Sequence, residues 1–284
     1  MKLTICITTL LFIFQFGYTQ NIERQVISSS GESLANGSHR LDFTIGELAV
    51  STITNDHVLS QGFHQGDLLL SIKINPVFFL QGPYMSPVTG GLMNDDLRAI
   101  LSTTSPYLDG LMCDSSVFTV TGSDAIVDWV LVEIRDAADR TIIIESRSAL
   151  LQRDGNVVDI DGFSAVSFAS PGGSYFVLLN HRNHLGIMSA NPIALSGTTG
   201  VDLSADPSAV FGGTNAVQNM NGVYAAFSGD FDGNGQVQNS DATEVLLLLG
   251  SSGYSFADMD MNGQVQITDI NNVITPNTGR GEQF

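Results

Sequence analysis

Two twelve-residue segments near the carboxyl end repeat one spacing of oxygen-bearing side chains. Residues 230–241 and 258–269 align without gaps, and both read D-x-D-x-N-G-Q-V-Q-x-[ST]-D. Calcium prefers six to eight hard oxygen ligands, and a twelve-residue loop supplies them from positions 1, 3, 5, 7, 9 and 12. The sequence therefore predicts two bound calcium ions, one in each segment; we call the segments loop A (230–241) and loop B (258–269).

The predicted ligands are of the same type in both loops. Carboxylates stand at positions 1, 3 and 12, an asparagine at position 5, a backbone carbonyl at position 7, and a glutamine, binding directly or through water, at position 9. They are Asp230, Asp232, Asn234, Gln236, Gln238 and Asp241 in loop A, and Asp258, Asp260, Asn262, Gln264, Gln266 and Asp269 in loop B. The alternative is a pair of acidic turns that bind nothing. The duplication disfavours it, as does the repulsion between crowded carboxylates that no cation neutralises.

Short helices are expected to follow the loops and hold them in place. The pattern predicts one helix from Asp241 to Leu249 and another from Asp269 to the residue before Pro276. Val237 and Val265, at position 8, are expected to pair the two loops through a short β contact. The apolar residues expected to pack between the helices are Val245, Leu248, Leu249, Ile270, Val273 and Ile274.

The closing aspartate, the duplication and the single helix after each loop resemble the dockerin family. The resemblance covers residues 229–284 and implies a calcium-dependent fold that docks onto a cohesin-type partner, or clips onto a neighbouring β module of the same chain. Positions 10 and 11, which help choose the partner in that family, are Asn239-Ser240 and Ile267-Thr268. Because these pairs differ, a symmetric two-way contact with a cohesin is not expected.

Upstream of the loops, short β-type runs alternate with turn residues, which predicts a mainly β fold. In residues 20–75, Asn36-Gly37 is a hairpin signal, and the region is interpreted as a small N-terminal β module. In residues 76–228, Ala125 to Ile134 is apolar on both faces, as in a central strand between two layers. This region is interpreted as a β-sandwich domain, followed by a helical dockerin-like domain at 229–284.

The start of the chain has the features of a secretory signal. Lys2 precedes an apolar run from Leu3 to Phe16, which is too short to span a bilayer, and small residues follow it. The sequence therefore predicts a signal peptide at 1–19 and a protein that is extracellular or associated with the cell surface. Its removal would leave Cys113 as the one cysteine, expected to be buried and to form no internal disulfide.

Composition excludes some classes of partner. The chain carries 29 acidic and 11 basic residues, a net charge of −18. Phosphate groups of nucleic acids and anionic membrane surfaces would be repelled by this charge, whereas divalent cations would be attracted. We therefore expect neither nucleic-acid binding nor membrane insertion.

Segments outside the loops resemble modules of large secreted and cell-surface proteins of Bacteroidetes-type bacteria. The segments at 25–31, 44–47 and 61–65 resemble the opening module of those proteins. A module loosely described as hemagglutinin-like is resembled by the segments at 127–130, 133–136, 181–184 and 276–284. The resemblance implies surface display or adhesion, without an established activity.

Three weaker constellations of residues each have a simpler interpretation. His181 and His184 could share a transition metal, but a hydrogen-bonded structural pair is favoured because no third ligand is near in sequence. Asp128, with Glu133 and Asp136, could form a glycosidase carboxylate pair, but solvent-facing or turn carboxylates are favoured. Trp129 could stack on a sugar, and a place in the core is favoured.

These observations leave two functions from different classes. The favoured one is a secreted, calcium-binding, non-catalytic protein that attaches to glycans or proteins at the cell surface or matrix. The alternative is a component of an extracellular polysaccharide-degrading assembly, recruited by a cohesin-type partner. Because no catalytic motif is found, a glycan-hydrolysing sandwich is the least favoured interpretation.

Overall fold

The structure is a computed structural model that describes residues 30–36, 39–45, 52–54, 58–60, 71–85 and 90–284. The chain divides into two units, 1–68 and 69–284. The predicted signal peptide lies outside the described residues. In the part of the chain that is described, no helix has the length and apolarity needed to cross a bilayer.

The first unit contributes two antiparallel hairpins. Strand β1 (Ser30–Asn36) pairs with β2 (His39–Ile45), and Asn36 lies opposite His39. Strand β3 (Thr52–Thr54) pairs with β4 (Val58–Ser60). The hairpin that Asn36-Gly37 predicts is therefore present.

The second unit contains twelve strands within its described residues. In chain order they are β5 (Ile72–Val77), β6 (Phe79–Leu80), β7 (Ile126–Asp136), β8 (Ile143–Gln152), β9 (Val157–Val158), β10 (Val166–Phe168), β11 (Gly173–His181), β12 (His184–Met188), β13 (Ile193–Leu195), β14 (Thr198–Asp202), β15 (Val217–Met220) and β16 (Val223–Ala226). The order β12-β11-β7-β8-β9, with β13 also on β11, forms one sheet; β10-β5-β14 and β15-β16-β6 form two smaller ones. The fold is mainly β, with open sheets.

One apolar core joins the three sheets. Strand β7 lies at the centre of the largest sheet, and Val130, Val132 and Ile134 are fully buried there. They belong to the same core as Ile74 of β5 and Ala225 of β16. Burial of both faces of β7 explains its nearly continuous apolar sequence, and the arrangement is consistent with the predicted sandwich.

The described residues depart from the predicted layout at two places. Strand β5 begins before the predicted boundary between residues 75 and 76, and it pairs with β10 and β14 of the later region. Residues 229–284 belong to the same compact unit as the sheets. We therefore use "sheet region" for residues 71–228 and "tail" for residues 229–284 of this unit.

Helices are few and short. They are α1 (Gln81–Met85), α2 (Asn239–Leu247), a π-helix (Asp269–Ile274), α3 (Thr275–Asn277), and 3₁₀ turns at Arg98–Ile100, Ser115–Thr119, Gly122–Asp124, Pro207–Ala209 and Gly213–Asn215. Helix α2 begins and ends two residues earlier than predicted. The second predicted helix does not end before Pro276: the π-helix runs directly into α3, which contains Pro276 and ends at Asn277.

Candidate metal centre

The position-1 carboxylates are buried and receive backbone hydrogen bonds from their own loops. Asp230 is 3% exposed, and its two oxygens accept from the backbone N–H groups of Asn234 and Gly235 at 3.1 and 2.9 Å. Asp258 is fully buried and accepts from the corresponding groups of Asn262 and Gly263 at 3.1 and 2.8 Å. Each loop is therefore wrapped around its first carboxylate.

The carboxylate at position 12 of each loop accepts backbone hydrogen bonds from positions 2 and 9 of the same loop. Asp241 accepts from the backbone N–H of Phe231 at 2.8 Å and of Gln238 at 2.7 Å. Asp269 accepts from Met259 and Gln266 at 2.7 Å each. The bonds to position 2 bring position 12 back beside position 1, although ten residues of chain lie between positions 1 and 12 in the motif.

Three carboxylates therefore converge in each loop. Oxygens of Asp230, Asp232 and Asp241 lie within 4.8 Å of one another, as do those of Asp258, Asp260 and Asp269. Like charges at this distance repel unless a cation or protons neutralise them. The donors are hard oxygens, which suits calcium better than the softer transition metals.

The amide side chains at positions 5, 7 and 9 make the same contacts in both loops. Asn234 donates to Asp232 at 2.8 Å, and Asn262 donates to Asp260 at 2.9 Å. The glutamines at position 9 donate to those at position 7, from Gln238 to Gln236 at 2.7 Å and from Gln266 to Gln264 at 2.6 Å. Each asparagine thus lies beside its carboxylate cluster, where a rotated amide would present its oxygen.

The turn at each loop needs left-handed backbone at positions 4 and 6. Gly235 and Gly263, at position 6, have φ of 80° and 86°. Position 4 is Gly233 in loop A, with φ 68°, but Met261 in loop B, with φ 59°. A side chain in this conformation costs about 1–2 kcal/mol, so loop B carries a strain that loop A lacks.

Burial changes the protonation of these carboxyls. Burial, with repulsion from the neighbouring carboxylates, raises the pKa of Asp230 to about 6 and of Asp258 to about 7. It also raises the pKa of Asp269. In calcium-free solution the loops therefore hold protons near neutral pH, and a cation that binds them must displace those protons.

The predicted β contact between Val237 and Val265 is not present. Val237 instead exchanges backbone hydrogen bonds with residues 279–280, and Val265 exchanges them with residues 250–251, at 2.9 Å in every case. Each loop thus pairs with the segment that follows the other loop's helix. The sequence did not reveal this because the two partner segments share little beyond a glycine.

The predicted apolar contact between the helices is only partly correct. Val245, Val273 and Ile274 are buried together in one apolar cluster. Leu248 and Leu249 are 40% and 39% exposed, so they were wrongly assigned to it. The reason is that α2 ends at Leu247 and the chain turns away from the cluster.

Four leucines consequently lie in a row on the surface of the tail. They are Leu246, Leu247, Leu248 and Leu249, and Leu247 is 81% exposed. Ile267 of loop B is 50% exposed. An exposed run of large apolar side chains on an acidic protein is typical of a contact surface.

A buried polar cluster centred on Asp128 was missed by the sequence interpretation. Asp128 is fully buried rather than solvent-facing; it accepts hydrogen bonds from Arg182 at 3.0 Å and from Tyr254 at 2.9 Å, and it lies 3.2 Å from His181. Burial alone would raise the pKa of Asp128, but Arg182 and His181 hold it below its usual value. The sequence carried one signal of this cluster: segments 127–130 and 181–184 both resemble the hemagglutinin-like module, and they meet here.

The remaining weak constellations have structural roles. His181 and His184 form the expected hydrogen-bonded pair, with their Nδ1 atoms 3.0 Å apart, and burial lowers the pKa of both. Trp129 is 1% exposed, as predicted for a core residue. Glu133 is 5% exposed and pairs with Arg135 at 2.7 Å, and Asp128 is fully buried, so neither carboxylate faces solvent.

The tail and the sheet region are joined by polar contacts through Gln81. Its Oε1 accepts from Ser228 N at 3.1 Å and from Asn277 Nδ2 at 2.7 Å. Asn277 also donates to the Ser228 carbonyl at 2.7 Å. Because all three side chains are buried, these bonds fix the end of the tail against helix α1.

Comparison with known proteins gives low similarity. No family model and no curated protein matches the chain. Among solved structures, an N-terminal interface mutant of the type II cohesin–X-dockerin complex from Acetivibrio cellulolyticus is 14% identical with a TM-score of 0.35, covering 75% of this chain and 96% of that one. A C-terminal interface mutant is 13% identical with a TM-score of 0.39, covering 74% and 97%. Values this low do not establish a shared fold.

Proposed function

We propose that this chain is an exported, non-catalytic calcium-binding protein that attaches to glycans or proteins through its β region. The observation that carries the proposal is the pair of carboxylate triads, repeated residue for residue in two loops. The tail, stabilised by calcium, caps the sheet region. The sheet region, of the β-sandwich type, provides the surface that attaches to the glycan or protein.

The donor set supports calcium in both loops. Asp230, Asp232 and Asp241 would hold one ion, and Asp258, Asp260 and Asp269 the other, with the asparagines and glutamines of the motif completing each shell. Calcium would supply charge neutralisation and fixed geometry, and no redox or Lewis-acid step is required. The backbone bonds to positions 1 and 12 close each loop around the place that the ion would take.

Attachment within one chain supports the adhesion function over recruitment to a scaffold. The tail is bound to the sheet region through Gln81, Arg182 and Asn183. The side chain of Arg182 also stacks over the rings of Tyr254 and Phe256, at 4.4 and 5.6 Å. A tail that is already held in cis does not need a separate scaffold in order to fold.

Calorimetry with calcium on residues 20–284 tests the calcium sites. We expect two ions per chain, and between pH 5 and 7 an affinity that rises with pH, because Asp230 and Asp258 must lose protons whose pKa values are about 6 and 7. The measured heat should differ between buffers of different ionisation enthalpy at pH 6.5, since the released protons are taken up by the buffer.

The matched control is the same titration on Asp232→Asn with Asp260→Asn, which removes one carboxylate from each triad without changing its shape. We expect weaker binding in both sites. No saturable heat with the unaltered chain would contradict the proposed calcium sites. A glycan array on the same protein then tests adhesion, and release of reducing sugar would instead favour an enzyme.

Recruitment by a cohesin-type partner is the second candidate, favoured by the exposed leucine row (residues 246–249). A partner that buries these side chains would remove several exposed leucines from water, at about 25 cal/mol per Å² of apolar area. The row begins at the end of helix α2, whose first two residues are Asn239-Ser240, the positions that help choose the partner in the family that the tail resembles.

A pull-down from the producer's extracellular fraction tests this candidate. We expect the unaltered chain to capture a calcium-dependent scaffold protein and Leu247→Glu to lose it while still binding two calcium ions. Leu108→Glu is the control, because Leu108 is even more exposed than Leu247 but lies in the sheet region. Equal capture by all three proteins would show that the leucine row is not the contact.

A further inference from the structure

The two loops, nearly identical in sequence, have different surroundings. We propose that loop B is the calcium-dependent attachment of the tail to the sheet region, whereas loop A stabilises the tail alone. This inference rests on the proposed calcium sites and assigns the two ions different tasks.

The backbone at positions 1 and 2 of loop B is bound by the sheet region. Asn183 donates from Nδ2 to the carbonyl oxygens of Asp258 at 2.9 Å and Phe256 at 3.1 Å. Ser228 donates from Oγ to the carbonyl of Met259 at 2.9 Å. Helix α1 also lies close, since a Cβ on Gly82 would stand 2.0 Å from the same carbonyl.

Position 4 of loop B inserts a side chain into the core of the sheet region. Met261 is 1% exposed and belongs to the core that contains Met93 and Leu97. A Cβ on Gly263 would lie 3.9 Å from Leu97 Cδ2. The burial of Met261 accounts for a left-handed conformation at a residue that is not glycine.

Loop A lacks the corresponding contacts. Its position 4 is Gly233, which is exposed, and a Cβ there would have no atom within 4 Å. Its backbone pairs with the end of the tail, through Arg280 and Glu282. Within the described residues, no hydrogen bond joins 230–241 directly to the sheet region. Val237 shares a buried apolar cluster with Leu185 and Phe227, and Glu282 beside the loop accepts from the backbone N–H of Gly186 at 2.8 Å.

Calcium binding by loop B and attachment of the tail to the sheet region therefore require the same backbone conformation of loop B. Binding of an ion by Asp258, Asp260 and Asp269 fixes the turn that includes Met261. The same turn presents the Met261 side chain and the carbonyls of positions 1 and 2 to the sheet region. Two events that need one conformation favour each other, so calcium in loop B strengthens the attachment, and attachment strengthens calcium binding there.

Hydrogen exchange on residues 20–284 tests this inference, with Asp232→Ala and Asp260→Ala as a matched pair at position 3. In calcium, compared with chelator, we expect amide exchange in peptides covering 91–101, which include the Met93 and Leu97 of the core that Met261 enters, to slow by about tenfold or more in the unaltered chain and in Asp232→Ala. Asp260→Ala should lose this slowing. Equal responses of the two variants would overturn the inference.

A second variant separates attachment from ion binding. Met261→Gly keeps the left-handed turn, as Gly233 does in loop A, but removes the inserted side chain. We expect it to bind two ions while losing most of the calcium-dependent slowing in 91–101. Full slowing in Met261→Gly would overturn the inference, whereas an absence of calcium binding by the unaltered chain would instead overturn the proposed calcium sites.

Discussion

Calcium is expected to raise the melting temperature of residues 20–284, and Asp230→Ala with Asp258→Ala is expected to abolish the rise. An ion that binds only the folded form at 100 times its dissociation constant stabilises it by about 2.7 kcal/mol. For a unit of this size, 1 kcal/mol corresponds to roughly 2–4 °C. Two ions should therefore raise the melting temperature by about 10–20 °C, measured by calorimetry or circular dichroism in calcium and in chelator.

The control for this experiment is a pair of acidic turn residues outside the loops. Asp154 and Asp161 each accept backbone hydrogen bonds from residues two positions on, at 3.1 and 3.0 Å. Asp154→Ala with Asp161→Ala removes two negative charges, as the loop variant does, and should retain the full calcium response. If the loop variant also keeps that response, then the assigned carboxylates do not hold calcium.

Asp128→Ala is expected to destabilise the second unit by about 3–5 kcal/mol, because it leaves Arg182 buried without its counter-ion. The Arg182 side chain is 1% exposed, and its guanidinium Nε lies 3.0 Å from Asp128. The substitution also removes the acceptor for Tyr254. A lowered denaturation midpoint, or a melting temperature lower by roughly 6–20 °C, measures the effect.

Two variants separate charge from shape at this position. Asp128→Asn keeps the size and much of the hydrogen bonding but leaves the Arg182 charge uncompensated, so most of the loss should remain. Asp95→Ala removes a partly exposed partner of Arg98, at 2.9 Å, and should change stability by about 1 kcal/mol or less. If Asp128→Asn is as stable as the unaltered protein, the pairing of charges is not what Asp128 contributes.

The contiguous features of this protein could be predicted from its sequence. The ligand types of both loops stand within twelve residues, and the structure brings Asp230, Asp232 and Asp241 together through local turns. The mainly β fold followed from short alternating runs and turn residues, and the central strand at 126–136 from apolar residues on both faces. The convergence of the carboxylates, the mainly β fold and the central strand each depend on residues close in sequence, which is why the sequence indicates them.

What depends on distant residues was decided only by the tertiary structure. Asp128 acquires its partners 53 and 54 residues later in the chain, and nothing near Asp128 in the sequence indicates that its charge is compensated. Leu248 and Leu249 have the apolar character of a core, yet the end of α2 leaves them exposed. Met261 and Gly233 occupy the same motif position, and only packing against the sheet region distinguishes them. The spacing of ligands is a local property of the chain, whereas burial and charge pairing depend on which surfaces meet when the sheets close around one core.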